Sequence, residues 1–140
     1  MIEPVSILIS VFLGGGLGAI IRYLVIEQVN KLFLVAFPFG TIAVNVIGAF
    51  LIGLLSSYLA ERLDVSENIK MFLIVGFCGG FTTFSSFNIE FYQLFSSGEI
   101  LSSLIYVTTT FVLTVVAFYI GVSPLTVSYT HLTLPTIYSV

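Results

Sequence analysis

Residues 69–95 form an apolar segment long enough to cross a bilayer, yet its middle reads Gly76-Phe77-Cys78-Gly79-Gly80-Phe81-Thr82-Thr83-Phe84-Ser85-Ser86-Phe87. Adjacent glycines followed by adjacent threonines are poor material for a helix interior. Glycine loses more backbone entropy on ordering than any other residue, and threonine competes for backbone hydrogen bonds. In hydrocarbon an interrupted backbone survives only where it is buried in protein or lines a wet cavity. The stretch therefore predicts a membrane helix broken in mid-span, and marks the functional centre of the chain.

Composition agrees with a bilayer setting. Hydrophobic residues make up 58% of the chain and charged residues 8%, against about 25% charged in a soluble domain. Mean hydropathy is +1.16, so this is an integral membrane protein. With 140 residues it is one domain. The net charge of −3 arises from so few groups that it implies no nucleic-acid partner. Cys78 is the single cysteine, which excludes an internal disulfide and a cysteine-based metal cluster. No cleavable signal peptide is expected: Glu3 stands where a basic region belongs, and the chain runs straight into a full-length span.

A span needs about 20 apolar residues, and four segments qualify: 5–26, 39–59, the interrupted 69–95, and 100–121. The fold class is thus all-α, with four transmembrane helices over a domain of residues 1–121. Residues 122–140 fit no such pattern. They contain Pro124, Pro135 and the single histidine, His131, lack charged residues, and include SYTHLTLPT, which resembles a translated sequencing-adapter read-through. This tail is expected to be disordered or foreign, with His131 a bystander.

Four helices put Arg62 and Lys70 on one side of the membrane and Lys31, with Arg22 near its helix end, on the other. The balance gives almost no orientation preference. Either translocon context orients the chain, or it inserts both ways round, which permits an antiparallel dimer.

Several motifs admit both a packing and a functional reading. Gly14 and Gly18 form a GxxxG pair, which lets helix backbones approach closely in lipid. Arg22 follows on the same face and must snorkel, pair or face water. Thr41 and Asn45 share one face of the second helix beside Gly48; a membrane asparagine is either interhelical glue or a donor facing a pore. Phe84, Phe87 and Phe91 recur at helical spacing just after the break, as core packing or as ring edges whose partial positive charge can hold an anion. Asn88 and Glu90 lie just beyond, Glu90 without an evident partner. Carbonyls freed at Gly79 and Thr82 could coordinate a cation such as sodium. Tyr106, Thr110 and Thr114, thickened by Thr108 and Thr109, place hydroxyls along one face of the fourth helix. Such threonines often bond their own i−4 carbonyl, yet the track also suits a polar permeation path. No paired acids, metal spacing, serine–histidine arrangement or phosphate loop appears, so the chain is not expected to be an enzyme.

The segments GGGLGAIIRY (14–23), GTIAVNVIGAF (40–50) and GFCGGFTTFSSF (76–87), in this order on three successive helices, resemble the Fluc/CrcB family of fluoride channels over roughly residues 5–121. The last motif is highly specific; the glycine-rich first is not. The resemblance implies passive, fluoride-selective conduction that lowers cytoplasmic fluoride. It further implies an antiparallel, dual-topology homodimer in the cell inner (plasma) membrane, with paired fluoride pores and a structural sodium ion (Na+) at the dimer centre. By motif, Phe84 and Phe87 resemble the fluoride-contacting phenylalanines, Asn45 the pore asparagine and Thr41 a pore-lining hydroxyl. Gly79 and Thr82 resemble the residues whose carbonyls hold sodium, and Arg22 the vestibule arginine. Tyr106, Thr110 and Thr114 fit the fourth-helix polar track on a looser alignment. Phe81 stands where a smaller aliphatic is expected, and the 122–140 tail has no family counterpart. Two other readings remain at this point: a small multidrug-type exporter, which needs a carboxylate inside the first helix where this chain has Glu3 and Glu27 only at its ends, and a non-transporting assembly subunit.

Overall fold

A computed structural model describes residues 4–123; the expectation for the tail lies outside the described residues, apart from Val122 and Ser123. Four segments are long and apolar enough to cross a membrane, at Pro4–Leu32 (α1), Phe39–Leu59 (α2), Glu67–Ser96 and Ile100–Ser123 (α5). The third is divided into α3, residues 67–81, and α4, Ser85–Ser96. Large apolar side chains face outward along the helices, among them Phe12, Leu17, Leu101 and Phe111, as lipid contact requires.

The first helix runs beyond residue 26 to Leu32, and Glu27 and Lys31, one turn apart on that extension, pair at 2.8 Å. Its successor starts at Phe39, with Asn30 Oδ1 accepting from the Gly40 N–H at 2.9 Å, which satisfies one otherwise orphaned donor of the first turn. A turn through Gly98, whose φ is +87°, reverses the chain between α4 and α5.

The broken third span is present, but the break begins later than the glycines. Gly79 and Gly80 remain helical, and the chain becomes extended only at Thr82, with φ −82° and ψ 156°. Gly80 serves close packing instead, whereas Gly79 faces open space. A Cβ on Gly80 would collide with the Gly15 carbonyl, and one on Gly18 with the Phe77 carbonyl; Gly14 and Gly76 meet backbone in the same way. A small-xxx-small face thus exists on both helices, Gly14/Gly18 on α1 and Gly76/Gly80 on α3. Within α3, Met71–Cys78 is wound as a π-helix, a rare form often found near functional sites. The α2–α5 pair uses the same device: Gly53 lies against the Phe118 carbonyl and Gly121 against that of Phe50.

Candidate functional site

The interruption at residues 82–84 is held by a side chain from another helix. In a continuous helix the Thr83 N–H would bond the Gly79 carbonyl. Here it donates to Asn45 Oδ1 at 2.8 Å, while Asn45 Nδ2 donates to the Thr83 carbonyl at 2.9 Å. One primary amide therefore brackets both main-chain groups of Thr83 and replaces two missing helical bonds. The Thr83 hydroxyl accepts from the Ser86 N–H at 3.2 Å, capping α4 as threonine does at a helix start. It also donates to Ser86 Oγ at 3.2 Å.

This cap sets the phenylalanines. Phe84 and Phe87 lie with ring centroids 5.5 Å apart and planes within 23° of parallel. Phe84 is 73% exposed, whereas Phe87 is half-buried against the Tyr106 ring at 5.0 Å. Both line an open groove of about 650 Å³, together with Asn45, Thr82, Thr83, Thr110 and Thr114. Its wall is mainly apolar, interrupted by one amide and a few hydroxyls.

A second polar cluster lies one helical turn along. Glu90 accepts from Thr41 Oγ1 at 2.8 Å and from the Tyr106 hydroxyl at 2.7 Å. Thr41 and Tyr106 are fully buried, and Tyr106 packs in a core with Ile42 and Leu94. Glu90 also borders an open cavity of about 430 Å³ shared with Asn30, Gln93 and Glu99, beside the α1–α2 and α4–α5 connections.

Of the residues singled out from sequence, Asn45, Thr82, Phe84, Phe87, Thr110 and Thr114 come together in the groove, while Thr41 and Tyr106 lie beside it at Glu90. The hydroxyls of Thr110 and Thr114 donate to the carbonyls of Tyr106 and Thr110 at 2.7 and 2.8 Å, so their protons are directed at their own helix. Thr82 likewise donates to the Cys78 carbonyl at 2.9 Å. Gly79 is exposed with open space beside it, and its carbonyl has lost its helical donor to Asn45. Arg22 is half-buried on α1, away from the groove, and forms no hydrogen bond or ion pair among the described residues. Sequence reasoning missed Thr83 and Ser86. Their spacing, a threonine three residues ahead of a backbone donor at a helix start, is the local signal that could have found them.

Comparison with known proteins matches residues 9–122 to the family model described as CrcB-like protein, Camphor Resistance (CrcB). The chain is 47% identical over 102 residues, 73% of its length and 83% of the relative's, to a Hydrogenobaculum protein named fluoride-specific ion channel FluC. A Flavobacterium psychrophilum protein of the same name is 43% identical, with 78% of this chain and 88% of the relative covered. One from Rhizobium johnstonii is 40% identical, with 82% and 92% covered. The motifs read from the sequence and the divided third helix fall inside the matched region, which also takes in all but the outer ends of the first and fourth spans, and the chain belongs to the CrcB-like family.

Proposed function

We propose that this chain is a fluoride-specific ion channel of the plasma membrane, which lets fluoride leave the cytoplasm passively. The observation that carries the reading is the groove beside the helix break, where Asn45, Phe84 and Phe87 converge, in a chain whose relatives are named for fluoride conduction. Fluoride is small and strongly hydrated, so a narrow path must replace its water with short hydrogen bonds and still release it. An amide has two N–H donors; one of Asn45's is held by Thr83, which leaves the other for the groove. Near-parallel rings align their rims, so Phe84 and Phe87 can offer partial positive edges to the same ion. Chloride, larger and a weaker acceptor, fits such a site less well.

The finer reading is an antiparallel homodimer inserted both ways round, with sodium on its axis. The balanced charge of Arg22, Lys31, Arg62 and Lys70 supports dual topology. Sodium takes oxygen ligands, and the donor set fits: the Gly79 carbonyl loses its helical donor at the break, at an exposed residue, and the extended Thr82 turns its carbonyl out of the helical ladder. Each copy would give carbonyls from Gly79 and Thr82, and a two-fold mate would double them. A cation there would neutralise backbone oxygens that lipid cannot solvate. Arg22 would draw anions toward the entrance.

Efflux from proteoliposomes loaded with fluoride or with chloride tests the function. Fluoride efflux without chloride efflux is expected, and equal rates or no fluoride efflux would overturn it. Crosslinking of single-cysteine variants from either face of the membrane tests the antiparallel dimer.

A further inference from the structure

We propose that Asn45 is a positioning residue of the pore: by bracketing the N–H and C=O of Thr83, its amide fixes the extended turn that sets the Phe84–Phe87 pair across the groove. The inference rests on the fluoride-channel reading and deepens it, because it gives Asn45 a task separate from contacting the ion.

The argument starts from hydrogen-bond complementarity. Thr83 is 6% exposed, so unpaired main-chain groups there would be costly in a membrane protein. A peptide group offers one donor and one acceptor, and a primary amide offers the matching acceptor and donor side by side. Asn45 meets both at 2.8 and 2.9 Å. At neutral pH no other natural side chain of that length presents an uncharged donor and acceptor in one plane; aspartic acid does so only when protonated. The bracket fixes the main chain at Thr83, the Thr83 hydroxyl caps α4 through the Ser86 N–H, and α4 carries Phe87 directly after Phe84. The amide is thus coupled to both rings through covalent and capped backbone, although none of the aromatic contacts involves it.

The stereochemistry yields a sharp test. Ionised aspartate at this position can accept from the Thr83 N–H but not donate to the Thr83 carbonyl. Protonated aspartic acid can do both, with the same shape as the amide. Its single O–H is then fully engaged by Thr83, leaving no donor for an anion. Restoration by protonation therefore requires the bracket and does not require donation to the ion.

The experiment records fluoride current in planar bilayers, which are blind to permeation by neutral hydrogen fluoride, for wild type, Asn45→Asp, Asn45→Ala and Asn45→Gln. Wild type is measured across the same pH range as a control, because the Glu90 carboxyl, held by Thr41 and Tyr106, stands on the neighbouring helix; the Tyr106 phenol and the Cys78 thiol keep their protons throughout that range. At neutral pH, Asn45→Asp is expected to lose current by about tenfold or more, and to recover in part below about pH 5, where a carboxyl protonates and the bracket re-forms, the missing second donor keeping it below wild type. Asn45→Ala stays low throughout. Asn45→Gln, one methylene too long to keep the register while retaining both donors, is also expected to stay low, and it carries the test if Asn45→Asp does not fold. Failure of folded Asn45→Asp to recover in acid, or wild-type current in Asn45→Ala or Asn45→Gln, would overturn the positioning role while leaving the channel reading intact. Absence of fluoride current in wild type would overturn the channel reading itself, and this one with it.

Discussion

The Tyr106 hydroxyl donates to Glu90 Oε2 at 2.7 Å, in the interior of a protein whose helices meet largely through glycine and apolar side chains. Thr41 occupies the other oxygen at 2.8 Å, so one carboxyl joins α2, α4 and α5. Tyr106→Phe removes a donor while keeping the ring against Phe37 and Phe87, and is expected to cost roughly 1–3 kcal/mol, as for other buried polar groups left without a partner. Glu90→Gln retains an acceptor for one hydroxyl and a donor that the other can accept. Glu90→Ala strands both hydroxyls. Thermal unfolding in detergent should therefore rank Glu90→Gln well above Glu90→Ala; equal melting temperatures would show that the hydroxyls find other partners.

Much of this arrangement was legible in the sequence, and what was not has definite physical reasons. Span number and the mid-span break follow from local composition, which is why Phe39–Leu59 matches the expected bounds and the third helix divides as its threonines predict. The break was expected across Gly79–Thr83, yet Gly80 is consumed by contact with Gly15 and the helix continues to Phe81. Glycine marks either unwinding or close approach, and only the facing helix decides between them. The partner of Glu90 and the bracket on Thr83 join residues 49 and 38 positions apart, and no local periodicity encodes such pairs. Asn45 both holds Thr83 and lines the groove, so its packing reading leaves room for the proposed pore role.

The glycine faces make a contrasting set of variants. Gly80→Ala and Gly18→Ala place a methyl against main chain that cannot swing aside, and overpacking of this kind costs typically about 1–3 kcal/mol. Gly16→Ala and Gly79→Ala meet nothing within 4 Å inside the chain and should leave the monomer's packing unchanged. Gly79→Ala then becomes a probe of the proposed axis: normal folding with weakened dimerisation or lost sodium dependence of the dimer, read by size-exclusion chromatography, is expected. Full dimer with unaltered sodium dependence would place the axis elsewhere.

Thr110 tests whether hydroxyls leave the backbone to serve the ion. Its proton lies on the Tyr106 carbonyl at 2.7 Å, and turning it into the groove exchanges one hydrogen bond for another, at a net cost of roughly 1 kcal/mol. If fluoride compensates that turn, Thr110→Val should slow efflux about tenfold, the equivalent of roughly 1.4 kcal/mol, while Thr110→Ser conducts normally. Efflux from liposomes separates the cases, since an unchanged rate in Thr110→Val means that the hydroxyl stays with its helix during conduction.

Phe84 and Phe87 share a groove but differ in what else depends on them, so stability and conduction can be read apart. Phe84 is 73% exposed, and its recorded ring contact is with Phe87; Phe84→Ala should slow fluoride efflux with almost no effect on thermal stability. Phe87 also packs on Tyr106 at 5.0 Å, and Phe87→Ala should lower both, by about 1–3 kcal/mol in stability, less than the roughly 3–5 kcal/mol of a fully enclosed ring. Phe87→Leu refills most of that volume without an aromatic edge, so it should recover the stability and not the efflux. Recovery of efflux in Phe87→Leu would mean that bulk alone shapes the path, and undiminished efflux in Phe84→Ala would remove that ring from it. The comparison turns on the edge charge of the rings, the one property that leucine cannot supply.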